Sequence, residues 1–172
     1  MSRTQILHLR YIPTLTECWV EEACARWEGT PYMHGRCVIG RGVDCIHFAA
    51  AVLDELYGSA HAKLLQSLPA DACVHNRRGV ELATRAMLRA YPNISRVTDG
   101  TVEAGDLVIL SPVVHGQPAA AGHLLVAGGQ GRLWHANPPR VSCTGYGISD
   151  TQALLCVYRS HDKEKWHARL RS

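Results

Sequence analysis

What the chain lacks narrows its function first. It has no Cys-x-x-Cys pair although seven cysteines are present, so it offers neither a paired-cysteine zinc site nor a dithiol redox motif. Seven is also an odd number, which leaves at least one thiol unpaired. This usage fits a reducing compartment of synthesis better than a disulfide scaffold. No His-Glu-x-x-His run is present to hold a catalytic zinc. The longest apolar stretch, Phe48–Leu53, falls far short of the ~20 residues that cross a bilayer, so membrane insertion is not expected. Met1–Leu15 carries Arg3, His8 and Arg10 and has no apolar run ending in a small-residue cleavage site. It does not read as a signal peptide, and the expectation is a soluble protein made in the cytoplasm. Repeats and low-complexity segments are absent. So is any block of one charge sign: 18 basic and 15 acidic residues mix along the chain to a net charge of +3. That balance gives no case for a nucleic-acid partner, although it would not repel an acidic polymer.

What is present suits one folded domain. At 172 residues, with 47% hydrophobic and 19% charged residues, the chain is long enough to bury a real core. Thr14-Leu-Thr-Glu17 resembles a capping box and opens a helix to about Trp27, with Trp19, Ala23 and Trp27 on one stripe. Gly29 and Pro31 stop it. A glycine-rich loop, Gly35 to Gly42, leads to a second helix from about Asp44 to Tyr57-Gly58. Its apolar positions Cys45, Phe48, Ala49, Val52, Leu53 and Leu56 keep helical spacing. Residues 59–79 read as a surface excursion, and Val80–Tyr91 as a third helix closed by Pro92; 59–100 stands apart from a core of about 14–159. Short strands follow at Asp106–Leu110, His123–Ala127, Arg132–Ala136 and Gln152–Arg159, with Gly128-Gly-Gln-Gly131 as a hairpin turn. Helices first and antiparallel strands later predict an α+β fold. Cys18, Cys24 and Cys156 sit among apolar neighbours and are expected in the core.

Cys45 stands out by position. A thiol at a helix N-terminus faces unpaired N–H groups and the positive end of the helix dipole, both of which favour thiolate. The same N–H groups can steady the oxyanion of an acyl-transfer intermediate. The bland alternative is one more cysteine buried under the sheet. Two histidines favour the first reading. His123 and His135 lie twelve positions apart across the hairpin. A three-residue loop centred on Gly129 would pair Ala127 with Gly131, Leu125 with Leu133 and His123 with His135. One imidazole then takes the thiol proton while the other holds its ring in the useful tautomer. Asn137 is an alternative orienter, expected at the strand end beside Pro138-Pro139. His115, in the Pro112–Pro118 loop, is expected to face solvent. A zinc site built from Cys45, His123 and His135 is the other sharp reading, disfavoured by the missing metal-hydrolase motif.

Trp27, Gly29-Thr-Pro-Tyr32, Gly40-Arg-Gly-Val-Asp-Cys45 and the helix ending in Tyr57-Gly58 resemble the NlpC-type cell-wall peptidases, phage tail and prophage members above all. Downstream, Ala104-Gly-Asp-Leu-Val108, Gly122-His123-Leu-Leu-Val and Leu133-Trp-His135-Ala136 look like that family's strands. The resemblance spans roughly residues 15–159. It implies a papain-like core, with the Cys45 helix packed on a small antiparallel sheet carrying His123 and His135. It implies hydrolysis of peptidoglycan stem peptides beside a D-γ-glutamyl residue, often before a diamino acid, without a cofactor. Tyr32 matches a family tyrosine that helps bind substrate or the oxyanion; its bland role is an aromatic anchor for the loop. Two features depart from the pattern. Ile46 and bulky His47 follow the cysteine where the family has small residues, and the stretch from Tyr57 to Gly105 is long. On a helix His47 is expected to project away from Cys45.

Amidase or acyltransferase chemistry shares the same apparatus, and a non-catalytic tail or wall-binding module is the rival from another class. A protein that acts on the wall without an export signal implies delivery by a phage tail, a lysis system or a secretion machine. An inhibitor partner in the producing cell would fit that life.

Overall fold

The computed structural model describes residues 10–57, 77–91, 93–115, 117–118, 122–145 and 152–161. The expected surface excursion at 59–79 lies outside them except for the start of the third helix. Three helices are described: α1 (Glu17–Ala25), α2 (Cys45–Tyr57) and α3 (Arg77–Ala90). Eleven strands accompany them. They are β1 (Arg10–Ile12), β2 (Cys37–Val38), β3 (Gly42–Val43), β4 (Ile94–Val97), β5 (Thr101–Glu103), β6 (Leu107–Val114), β7 (Gln117–Pro118), β8 (His123–Ala127), β9 (Arg132–Asn137), β10 (Arg140–Gly145) and β11 (Gln152–Ser160). The fold is α+β. The main sheet runs β10-β9-β8-β6-β11-β4, antiparallel at each contact, with β7 paired to β6.

Alternation along the strands divides the interior in two. Leu124 and Val126 of β8, Trp134 and Ala136 of β9 and Leu107 and Ile109 of β6 bury against α1 and α2. Leu125, Ala127, Leu133, Val108 and Leu110 form a second cluster with Val102 of β5. Residues two apart on a strand share a face, and each strand here feeds both clusters. α2 is the centre of the first core: Ile46, Phe48, Ala49, Ala50, Val52 and Leu53 are fully buried. A helix apolar on so much of its circumference must lie inside the protein rather than on it.

α1 starts two residues later than the capping-box reading placed it. Glu17 still reaches back, accepting the Thr14 amide at 2.8 Å, while Thr14 spends its hydroxyl on Thr16 at 3.0 Å. The buried stripe is Val20, Ala23, Cys24 and Trp27, whereas Trp19 packs at its margin. Cys18 is exposed rather than in the core, because it sits on the solvent side of that stripe; Cys24 is buried and Cys156 half-buried. All six described cysteines are free thiols.

Two carboxylates stitch elements together. Asp106, fully buried, accepts a forked pair of hydrogen bonds from Arg159 at 2.7–3.2 Å, and Arg159 also bonds Glu103 at 3.0 Å. This ties the β5–β6 turn to β11. Glu21 of α1 accepts the Gly129 amide at 2.8 Å and the Trp134 indole N–H at 3.1 Å, and pairs with Arg132 at 3.0 Å. α1 thereby holds the β8–β9 hairpin. Gly128 is needed there, since a Cβ would stand 2.7 Å from the Trp134 ring.

Candidate active site

The segment before the thiol is locked from both sides. Gly29, at φ +77°, turns the chain out of α1. Its amide and the Thr30 carbonyl then pair with Val141 of β10 at 3.0 and 2.8 Å. Tyr32 donates its amide to Pro139 at 2.9 Å, and Met33 donates to Val43 at 3.0 Å. The Gly-Thr-Pro-Tyr run is therefore wedged between the β9–β10 turn and β3, which leads directly into α2. Tyr32, half-buried, sits two residues' width from the helix start by way of its bridge to Val43.

Asp44 caps α2. Its Oδ1 accepts the amides of Ile46 at 3.1 Å and His47 at 2.9 Å, and its Oδ2 accepts Gly35 at 2.8 Å. These are the second and third helical positions, the usual targets of a capping carboxylate. Cys45 occupies the first helical position and is 7% exposed. His47, which the sequence reading left without a role, turns its ring back onto the cap: Nδ1 stands 2.9 Å from both Asp44 oxygens. Burial alone would raise the Asp44 pKa. Hydrogen bonding and charge from His47, with the amides of His47 and Gly35, outweigh it and hold the carboxyl below its ordinary range. The Asp-x-x-His spacing was the available signal, because it is the capping-box spacing with an imidazole at the third position.

His123 opens β8 and His135 is the fourth residue of β9. His123 Nε2 lies 3.0 Å from His135 Nδ1, the rings edge-to-face with centroids 5.2 Å apart. The expected register does not hold. Ala127 pairs with Leu133 and Val126 with Trp134, so residues 128–131 link the two strands. Gln130 and Gly131 both take positive φ, which lengthens the link. Carried along the strands, this register sets His123 opposite Asn137 and makes His135 its diagonal neighbour. A slip of two keeps every side chain on its face, and long side chains still meet on the diagonal. The His135 pKa is lowered by burial, which favours the neutral ring. Behind it, Ser142 Oγ lies 3.5 Å from His135 Nε2.

Asn137 is exposed at the end of β9, paired with Arg140 on β10. His115 is exposed at the β6–β7 turn. α2 packs against β8 and β9, so the helix that begins with Cys45 lies on the strands that carry both histidines. Among the described residues no three His, Cys, Asp or Glu side chains converge as a metal site, Cys45, His123 and His135 included. No described helix is long and apolar enough to cross a membrane.

No family model matches the chain, and no curated protein matches it. Among solved structures, the chain is similar to the NlpC/p60 domain of peptidoglycan hydrolase SagA, with 17% identity, a TM-score of 0.48, and coverage of 83% of this chain and 97% of that one. It is also similar to a lipoprotein-like protein of the NLP/P60 family, SAV0400, from Staphylococcus aureus subsp. aureus Mu50. There the identity is 17% and the TM-score 0.48, over 92% of this chain but only 44% of the other.

Proposed function

We propose that the protein is a cysteine peptidase of the NlpC type that hydrolyses peptide bonds in peptidoglycan stem peptides, with Cys45 as nucleophile and His123 as its base. The observation that carries this reading is the 3.0 Å hydrogen bond between His123 and His135 on strands that pack under the helix headed by Cys45. His123 spends Nε2 on His135, so Nδ1 is the nitrogen that takes the thiol proton. One tautomer set satisfies the chain: His135 donates from Nε2 towards Ser142 and accepts at Nδ1 from His123 Nε2–H, leaving a lone pair on His123 Nδ1. A neutral His135, favoured by its burial, is what that set requires.

The thiolate of Cys45 attacks the scissile carbonyl carbon, and the oxyanion is steadied by the Cys45 backbone N–H and the Tyr32 hydroxyl. As the C–N bond breaks, His123 passes its proton to the leaving amine, and a thioester forms on the sulfur. Water then attacks the thioester while His123 takes its proton. The acid product leaves, and the proton returns to the thiol. Arg41 and Arg140, exposed on segments that flank Tyr32, give a stem peptide with free carboxylates a positive approach.

The deciding variants are Cys45→Ala and Cys45→Ser, assayed on purified peptidoglycan. Both are expected to lose cleavage; undiminished activity in both would refute the assignment.

A further inference from the structure

We propose that His47 is a positioning residue for the nucleophile, its ring countering the Asp44 carboxylate that stands at the same helix start as Cys45; this rests on reading Cys45 as the nucleophile. Asp44 directly precedes Cys45, is 1% exposed, and collects three backbone amides and one imidazole nitrogen. A fixed anion there cancels part of the helix dipole and opposes a second negative charge on the neighbouring sulfur. The cap that shapes the first turn therefore works against the thiolate that the turn would otherwise favour. His47 is built to offset it. Its Nδ1 is 2.9 Å from both carboxylate oxygens, and its side chain is buried with them.

The other side of the ring argues that packing is not its purpose. His47 Nε2 is buried and has no hydrogen-bond partner among the described residues. An apolar side chain would fill that space without leaving a polar atom unsatisfied. What the imidazole adds is a proton shared with Asp44, and a positive charge whenever both nitrogens are protonated.

Other titratable groups face this turn. His34, in the loop, places Nδ1 4.0 Å from Asp44 Oδ2, with a side chain one-third exposed. Cys37 of β2 donates its thiol to the His47 carbonyl at 3.7 Å, and burial, with Asp44 adding to it, pushes its pKa up to about 11. It therefore stays neutral at physiological pH. His123 and His135 lie on the strands beneath α2. Of these groups, only the His47 ring bonds the Asp44 carboxylate directly.

The test is the pH dependence of Cys45 alkylation by iodoacetamide in the full chain, wild type against His47→Asn. Asparagine places an amide N–H where Nδ1 stands, which keeps the donor to Asp44 and removes the charge. The profile is expected to move to higher pH, with the rate at pH 7 falling about tenfold, one pKa unit's worth, and the alkaline plateau unchanged. An unmoved profile would overturn the inference. An equal displacement in His34→Gln would do so too, by assigning the effect to the loop. Should His47→Asn fail to fold, His47→Gln, which also offers Asp44 an amide donor without a charge, takes the same alkylation test. An unmoved profile in it would equally overturn the inference. Full cleavage by Cys45→Ala would sink the nucleophile reading instead, so the two failures are told apart.

Discussion

His123 and His135 hydrogen-bond at 3.0 Å although the strands offset them diagonally instead of setting them face to face. In the proposed mechanism this bond lets His135 fix the ring of His123, the base. His135→Ala is expected to lower kcat by about 10²-fold with little change in KM, the scale of loss when a reacting group is misplaced by about an ångström. His135→Asn, which can still meet His123, should retain more activity. Steady-state kinetics on a defined stem peptide checks both, and an unaltered kcat in the alanine variant would remove His135 from the site.

Thiol reactivity separates an enzyme from a binding module that merely keeps the scaffold. Burial raises the Cys24 pKa well above that of a free thiol, and Cys37 is pushed to about 11. At pH 7 about one Cys37 in 10⁴ is thiolate, and burial keeps Cys24 in the thiol form as well. Peptide mapping after brief iodoacetamide treatment is expected to find Cys45 labelled well ahead of these two. Slow, even labelling across the cysteines would favour the module.

Much of this arrangement could be read before any coordinates. The Asp44–Tyr57 periodicity placed Cys45 at the head of a buried helix, and His123–Ala127 and Arg132–Ala136 alternate as strands do. Register was another matter. The turn holds Gln130 at positive φ, a conformation that a glutamine does not advertise. β10 was not foreseen, because Arg140–Gly145 carries few apolar residues and owes its order to pairing with β9. β6 runs on to Val114 through Pro112, which the sequence suggested as loop. The Asp44–His47 pair went unread although Asp-x-x-His keeps the capping-box spacing, because an imidazole is not the glutamate or glutamine that usually fills the third position.

Acid should weaken the fold partly through His135. Burial lowers its folded-state pKa below the ordinary value of 6.5. The unfolded chain therefore binds the proton first as pH falls. The stability that His135 contributes is complete above about pH 6.5 and is lost as pH drops towards the folded pKa. Asp44 has the same sign in a lower window, since its pKa is also depressed and its contribution is lost as the carboxylate is protonated. Urea denaturation at pH 7.5 and 5.5 should show the loss in the wild type and a smaller one in His135→Asn. An equal loss in both would contradict the assignment.

The hairpin that carries both imidazoles depends on a residue far from the chemistry. Glu21→Ala strips the acceptor from the buried Trp134 indole and from the Gly129 amide. Leaving such donors unsatisfied costs about 1–3 kcal/mol. Gly128→Ala should destabilise as well, by forcing the Trp134 ring aside. Chemical denaturation checks both, and a midpoint unchanged in Glu21→Ala would show that α1 does not hold the turn.

The most direct measurement is mass spectrometry of fragments released from peptidoglycans of defined stem-peptide composition, by the wild type and by Cys45→Ala. The account predicts peptide-bond cleavage products from the wild type alone, the two products of each cut together gaining one water. The same fragments from both proteins, or none from the wild type, would contradict it.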